Sequence, residues 1–183
     1  MLLSDFSAMN RERCERWHPA GLNSWSMSDW AVALLWEVGE VCEVIADDSL
    51  PHSRAALAPE IGDVFAYLDL FAHAARLDVV QVIHEPVRAA KPAEGYTPEW
   101  WGVVLSMHAG KLCDVVKKLN RCRDNLCGNR VSEAELREEL KSRIAKLATR
   151  LTQFAAAQGL DVAECARVKF NAVSERLGFP ERL

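Results

Sequence analysis

Strand signals are scarce in this chain. Seven prolines and nine glycines among 183 residues are too few for a β-rich protein. No apolar run reaches the roughly 18 to 20 residues needed to span a bilayer, and the opening MLLSDFSAMNRER is too short and polar for a signal peptide. These features predict a cytoplasmic protein with no membrane contact. Six cysteines, at positions 14, 42, 113, 122, 127 and 165, form no C-x-x-C pair. Most of them stand in apolar helical patterns, where cysteine behaves as a small hydrophobe. Cys122 and Cys127 are polar-flanked but have no second pair to complete a zinc site, so reduced thiols are expected. A strong excess of one charge is also missing: the net charge is −4, which argues against a general nucleic-acid binder. With 50% hydrophobic and 26% charged residues, the composition excludes disorder.

What is present is helical periodicity. Apolar spacing predicts an all-α chain with helices at about 5–17, 28–47, 59–76, 78–91, 100–121, 132–158 and 161–177. Ser28 and Asp29 are candidate caps of the second helix, Pro59 suits a first helical turn, and Ser132 with Glu135 reads as a capping box. The stretch KPAEGYTPE, with two prolines and a glycine, marks a linker over 92–98 between halves 1–91 and 99–183.

The halves look related. At a shift of 71, WAVALLWEVGEVCEV from Trp30 overlies WGVVLSMHAGKLCDV from Trp101, matching Trp, Val, Leu, Gly, Cys and Val. At a shift of 83, FAHAARLDV from Phe71 overlies FAAAQGLDV from Phe154. Both matches keep the same order and flank the linker, which indicates an internal duplication. The charges of the halves differ in sign: residues 1–91 hold 7 Lys+Arg against 14 Asp+Glu, and residues 92–183 hold 15 against 12.

Glu37 and Glu40 are three apart on one expected helix, and Glu60 and Asp63 are three apart on the next. Residues at i and i+3 share a face, about 4.5 Å apart along the axis. Antiparallel packing of the two helices would therefore bring four carboxylates together, an oxygen-rich set suited to Mg²⁺ or Mn²⁺. Independent placement of 26 acidic residues already yields roughly 3 to 4 such pairs, mostly on wet faces. Here Val41, Val44 and Ile45 flank one pair and Ile61, Val64, Phe65 and Leu68 the other, and Gly39 and Gly62 permit close approach. That pattern fits a lined pocket better than a solvated face.

The spacing E-x-x-E, 19 residues, E-x-x-D within WEVGEVCEV and PEIGDVFAYLDL resembles the MazG-like branch of the all-α nucleoside triphosphate pyrophosphohydrolases. GKLCDVVKKLNRCRDNLCGN from Gly110, VKFNAVSERLGFPERL from Val168 and NRERCERWH from Asn10 are similar to the same branch. The resemblance implies a helical bundle of that type, usually completed by dimerisation, and Mg²⁺-dependent cleavage of a nucleoside triphosphate to monophosphate and pyrophosphate, with a lean to deoxynucleotides. It implies that Glu37, Glu40, Glu60 and Asp63 bind metal and that Glu37, Glu40 or Glu43 acts as base. Lys117, Lys118, Asn120, Arg121 and Arg123, together with Lys169, Asn171 and Arg176, are the expected triphosphate contacts.

The departures from that pattern are complementary. The repeat alignment places His108, Lys111, Arg143 and Lys146 over the four carboxylates, while Ala46, Asp47, Asp48, Ser49 and Pro86 stand where the second half has Lys117, Lys118, Leu119, Asn120 and Lys169. Such a chain resembles a family dimer fused into one polypeptide with a single surviving site, either a monomeric pseudo-dimer or a homodimer of them. The cations at 108, 111, 143 and 146 are expected to salt-bridge to the acidic half, with a second anion site as the alternative. Trp30 and Trp101 are expected in the core, Trp17 and Trp25 near a base; His73 and His84 are read as structural. A purine tilt follows from the tryptophans. Two other readings stay open: a non-catalytic nucleotide-binding or sensing module, and a helical interaction scaffold.

Overall fold

The computed structural model describes residues 2–46, 54–126 and 131–183. Among them are seven α-helices and no strand: α1 (Leu3–Trp17), α2 (Met27–Ala46), α3 (Arg54–Ala74), α4 (Glu85–Ala89), α5 (Pro98–Arg123), α6 (Glu133–Ala157) and α7 (Val162–Leu177). The all-α expectation holds. Cys127 and the segment Asp47, Asp48 and Ser49 lie outside the described residues.

Several helix ends follow from local chemistry. Ser132 and Glu135 form the expected capping box. Thr97 caps α5 through its hydroxyl, which accepts from the Trp100 N–H, and Pro98 fills the first helical position. Asp161 accepts from the Glu164 N–H at 2.8 Å to open α7, and Gly178, at φ +71°, closes it in the left-handed region.

Three boundaries differ from the sequence reading. The cap of α2 is Ser26, whose N–H and hydroxyl both reach Asp29 Oδ2 at 2.8 Å; Ser28 instead receives a hydrogen bond from Asn120. Pro59 sits inside α3, which already begins at Arg54. The expected helix over 78–91 is a π turn at Val80–His84 followed by the short α4. Pro86 has no N–H for the carbonyl of Val82 and its ring crowds that turn, and there the backbone takes wider bonds, Glu85 N–H to Val80 O among them.

α3 is apolar nearly all round and is correspondingly central, packed on α1, α2, α6 and α7. α2 also packs on α5, and α5 on α6, while the π turn and α4 lie against α6. The last helix of each half therefore leans on the next-to-last helix of the other: α7 on α3, α4 on α6. Residues 90–97 connect the halves without helix, and Gln153 Nε2 holds them by donating to Lys91 O at 2.9 Å. One core runs through both halves, with Trp30, Trp101, Phe6, Phe65, Phe71, Phe154 and Phe170 fully buried. The paired residues of the repeat, Trp30 with Trp101 and Phe71 with Phe154, are thus all core. Cys14 and Cys165 are buried and Cys42, Cys113 and Cys122 partly so.

Candidate functional site

α2 turns Trp30, Leu34, Val38, Val41 and Ile45 into the core at helical spacing, which sets Glu37 and Glu40 on the flank of that stripe. Glu60 and Asp63 stand one turn apart on α3, facing them. One carboxylate oxygen from each of the four lies within 4.8 Å of the others, and all four side chains are half-buried. The expected quartet is therefore a real cluster.

It forms one wall of a cavity of about 380 Å³. Lys169, Val173 and Arg176 of α7, at i, i+4 and i+7, line it as well. Lys169 Nζ makes an ion pair with Asp63 Oδ2. The approach depends on Gly62: a Cβ there would fall 2.6 Å from Cys165 O and 2.8 Å from Lys169 Cβ. Gly62 lets α7 close on α3 and so delivers a second-half lysine to the first-half carboxylates. Gly39, expected to act likewise, has nothing within 4 Å of that position.

Crowding of like charge shows in the proton affinities. Glu37 is pushed up to about 8, first by burial and then by Asp63 and Glu40. Burial also raises Glu60 and Asp63, with Lys169 opposing it in both. Burial alone would lower Lys169, but its bond to Asp63 outweighs that and holds it above the usual lysine value. The set lacks positive charge rather than negative. Four oxygen donors this close, with one bonded lysine, fit a hard divalent cation such as Mg²⁺ or Mn²⁺.

The cavity holds groups that the sequence reading missed. Arg13 of α1 is buried, donates to Phe170 O at 2.9 Å, and stacks 3.9 Å over the Phe170 ring. Burial lowers its pKa to about 10, so it remains charged near neutrality. Tyr67, one turn beyond Asp63, is raised to about 12 by burial and by Glu37 and Asp63, and keeps its proton. The signal for Arg13 was present: Phe6, Asn10, Arg13 and Cys14 fall at i, i+4, i+7 and i+8, so two polar side chains occupy core positions of an amphipathic helix. Asn10 donates to Ala66 O at 2.9 Å and Asp69 Oδ2 at 3.0 Å, fixing α1 on α3. Trp17, His18 and the buried Trp30 also line the cavity, and Trp25 packs edge-on to His18 at 4.7 Å.

Other expected contacts lie elsewhere. Glu43 is exposed and lines a shallow apolar groove with Trp36 and Gly39. Lys117 and Lys118 pair with Asp114 at 2.5 and 2.7 Å, and Arg123 with Asp124 at 2.7 Å. Asn120 donates to Ser28 at 2.7 Å, and Arg121 lines a depression beside it. Ser28 precedes Glu37 by nine residues, about 13 Å along α2. The basic end of α5 thus sits at the far end of α2 from the carboxylates. Asn171 exchanges two 2.8 Å hydrogen bonds with Leu183 and anchors the C-terminal segment. His73 and His84 belong to a buried polar group around Asp69, where Ser7 Oγ donates to Asp69 at 2.7 Å and meets His73 Nε2 at 2.8 Å.

No known protein family, curated protein or solved structure matches the chain.

Proposed function

We propose that the chain is a pyrophosphohydrolase that cleaves a (deoxy)nucleoside triphosphate to monophosphate and pyrophosphate, dependent on Mg²⁺ or Mn²⁺, as its resemblance to the MazG-like enzymes implies. One observation carries the reading. The quartet Glu37, Glu40, Glu60 and Asp63 shares a cavity of about 380 Å³ with Lys169, Arg176 and Arg13. A divalent cation held by the quartet would supply the positive charge that the phosphate oxygens need as charge develops in the transition state. The protein's own groups do the rest. Lys169 and Arg176 neutralise the triphosphate, Arg adding paired donors that match phosphate geometry, and Arg13 holds α7 in place from behind. Water attacks the α-phosphorus in line. A new P–O bond forms there as the bond to the bridging oxygen of pyrophosphate breaks, and Glu37 or Glu40 takes the proton of the water. Trp17 and His18 at the rim offer an aromatic face to the base, which favours a purine.

The pattern of helix packing supports a dimer fused into one chain. Exchanging α2 with α5, α3 with α6 and α4 with α7 turns α2 on α3 into α5 on α6 and α7 on α3 into α4 on α6, and keeps the α2–α5 and α3–α6 pairs; the contacts of α1 and of α6 with α7 have no such counterpart. In such an arrangement the second half is required at the first half's site, and Lys169 is its contribution.

The test is a panel of NTPs and dNTPs incubated with Mg²⁺ or Mn²⁺ and resolved chromatographically. Monophosphate and pyrophosphate are expected. Diphosphate with orthophosphate, or no turnover across the panel, contradicts the proposal, and tight nucleotide binding without turnover would assign the chain to the sensing modules instead.

A further inference from the structure

The second half has its own convergence of charge. His108 and Lys111 on α5, and Arg143 and Lys146 on α6, stand at the alignment positions of the quartet, each pair at i, i+3 and on helices that pack together. Arg150, one further turn along α6, joins them. The expected salt bridges to the acidic half are not made among the described residues. Arg143 pairs with Glu139 of its own helix at 2.6 Å, Arg150 donates to Gln153 at 2.8 Å, and among the described residues Lys111 and Lys146 have no ion-pair partner.

At the centre is His108, only 8% exposed, whose Nδ1 is buried with no hydrogen-bond partner. Burial and then Arg150, Lys111, Arg143 and Lys146 hold its ring below the usual histidine value. A buried polar nitrogen without a partner is costly, and so is a group of cations without counter-charge. The arrival of an anion relieves the second cost directly, and the first once the His108 ring turns an Nδ1–H towards it. With Glu139 set against Arg143, the charges of Lys111, Lys146 and Arg150 remain, more than a single carboxylate offsets. Lys111 and Lys146 are exposed and Arg143 and Arg150 half-buried, so the place is open to solvent.

We propose that His108, Lys111, Arg143, Lys146 and Arg150 form a second, metal-free anion site that takes a polyphosphate, either free pyrophosphate or the phosphate tail of a nucleotide. The site is distinct from the carboxylate cavity and does not rest on the proposed reaction.

The experiment is calorimetric titration of the whole protein with pyrophosphate in EDTA, alongside NMR of the histidine ring resonances, with His108 identified through His108→Gln. The expected result is binding that shifts the His108 signals. It should weaken at least about tenfold in Lys111→Ala and again in Lys146→Ala, and persist in Lys169→Ala. Both lysines are exposed, and unchanged thermal melts of the variants confirm that the fold is intact. A non-hydrolysable nucleoside triphosphate that moves the same signals identifies the nucleotide tail as ligand; pyrophosphate acting alone identifies the free anion. Absence of pyrophosphate binding overturns the proposal. So does binding that leaves His108 unmoved, or binding lost in Lys169→Ala but kept in the Lys111→Ala/Lys146→Ala double variant.

Discussion

Helices α2 and α3 gather four carboxylates at the positions where α5 and α6 gather a histidine and three cations. The two helix pairs share their spacing and a fully buried tryptophan, yet one is short of positive charge and the other of negative. A second difference lies in what covers each pair. Gly62 lets α7 approach α3 within contact of the backbone, whereas Ala145 stands at the corresponding alignment position on α6, the helix on which the short α4 packs. Lys169 on α7 has Pro86 on α4 as its counterpart. Under the proposed duplication, each helix pair is free to lose what the other supplies. Here one copy keeps the metal-type ligands and the other sends it a lysine.

The largest effects should come from the carboxylates. Glu40→Gln or Glu60→Gln is expected to reduce turnover by about a thousandfold or more while the circular dichroism spectrum stays helical, since each swap keeps shape and removes a ligand charge. Neither variant should disturb pyrophosphate binding around His108. Equal loss at both places would mean that the two helix pairs are not independent.

Next is Gly62→Ala. A Cβ 2.6 Å from the Cys165 carbonyl must push α7 outward, at a cost of about 1 to 3 kcal/mol in denaturant unfolding. Activity should fall further than stability, because Lys169 moves away from Asp63. Ala145→Gly, the mirror change, should cost about 1 kcal/mol or less, as glycine does in a helix interior, and leave turnover intact.

Lys169→Ala should raise KM several-fold, more than it lowers kcat, because a phosphate clamp acts on the ground state as well. Lys118→Ala should leave both near wild type, for Lys118 pairs with Asp114 at the far end of α2 from the quartet. Steady-state kinetics of the pair separates the cation that reaches the cavity from one that does not.

A further effect is a pH dependence of stability. Glu37 titrates near 8 in the folded protein, against about 4.5 for an ordinary glutamate, so ionising it opposes folding. That penalty is absent below about pH 4.5 and grows as pH rises towards about 8. In EDTA, Glu37→Gln should therefore melt higher than wild type by a margin that widens from pH 5 to pH 8. A margin independent of pH would contradict the crowding of the quartet.

The carboxylates were legible because i, i+3 spacing fixes a helix face and the apolar neighbours say which face is covered. The capping box at Ser132 and the linker near residue 95 were legible for similarly local reasons. What the sequence could not place were contacts set by how helices cross. Lys117, Lys118 and Arg121 read as a phosphate cradle, but the packing of α5 on α2 puts their turn beside Ser28. Arg143 reads as a partner for the acidic half, yet Glu139 one turn away on the same helix captures it. Lys169–Asp63 and Arg16–Glu181 join the halves as ion pairs. Arg13 shows the opposite case: its core position was written in the periodicity of α1, but its role emerges only where α1 meets α7.

Hydrolysis of a nucleoside triphosphate in ¹⁸O-labelled water with Mg²⁺, followed by mass spectrometry of the products, tests the central claim most directly. The predicted result is label in the nucleoside monophosphate, unlabelled pyrophosphate, and no turnover by Glu60→Gln. Label in orthophosphate or pyrophosphate, or undiminished turnover by Glu60→Gln, would contradict it.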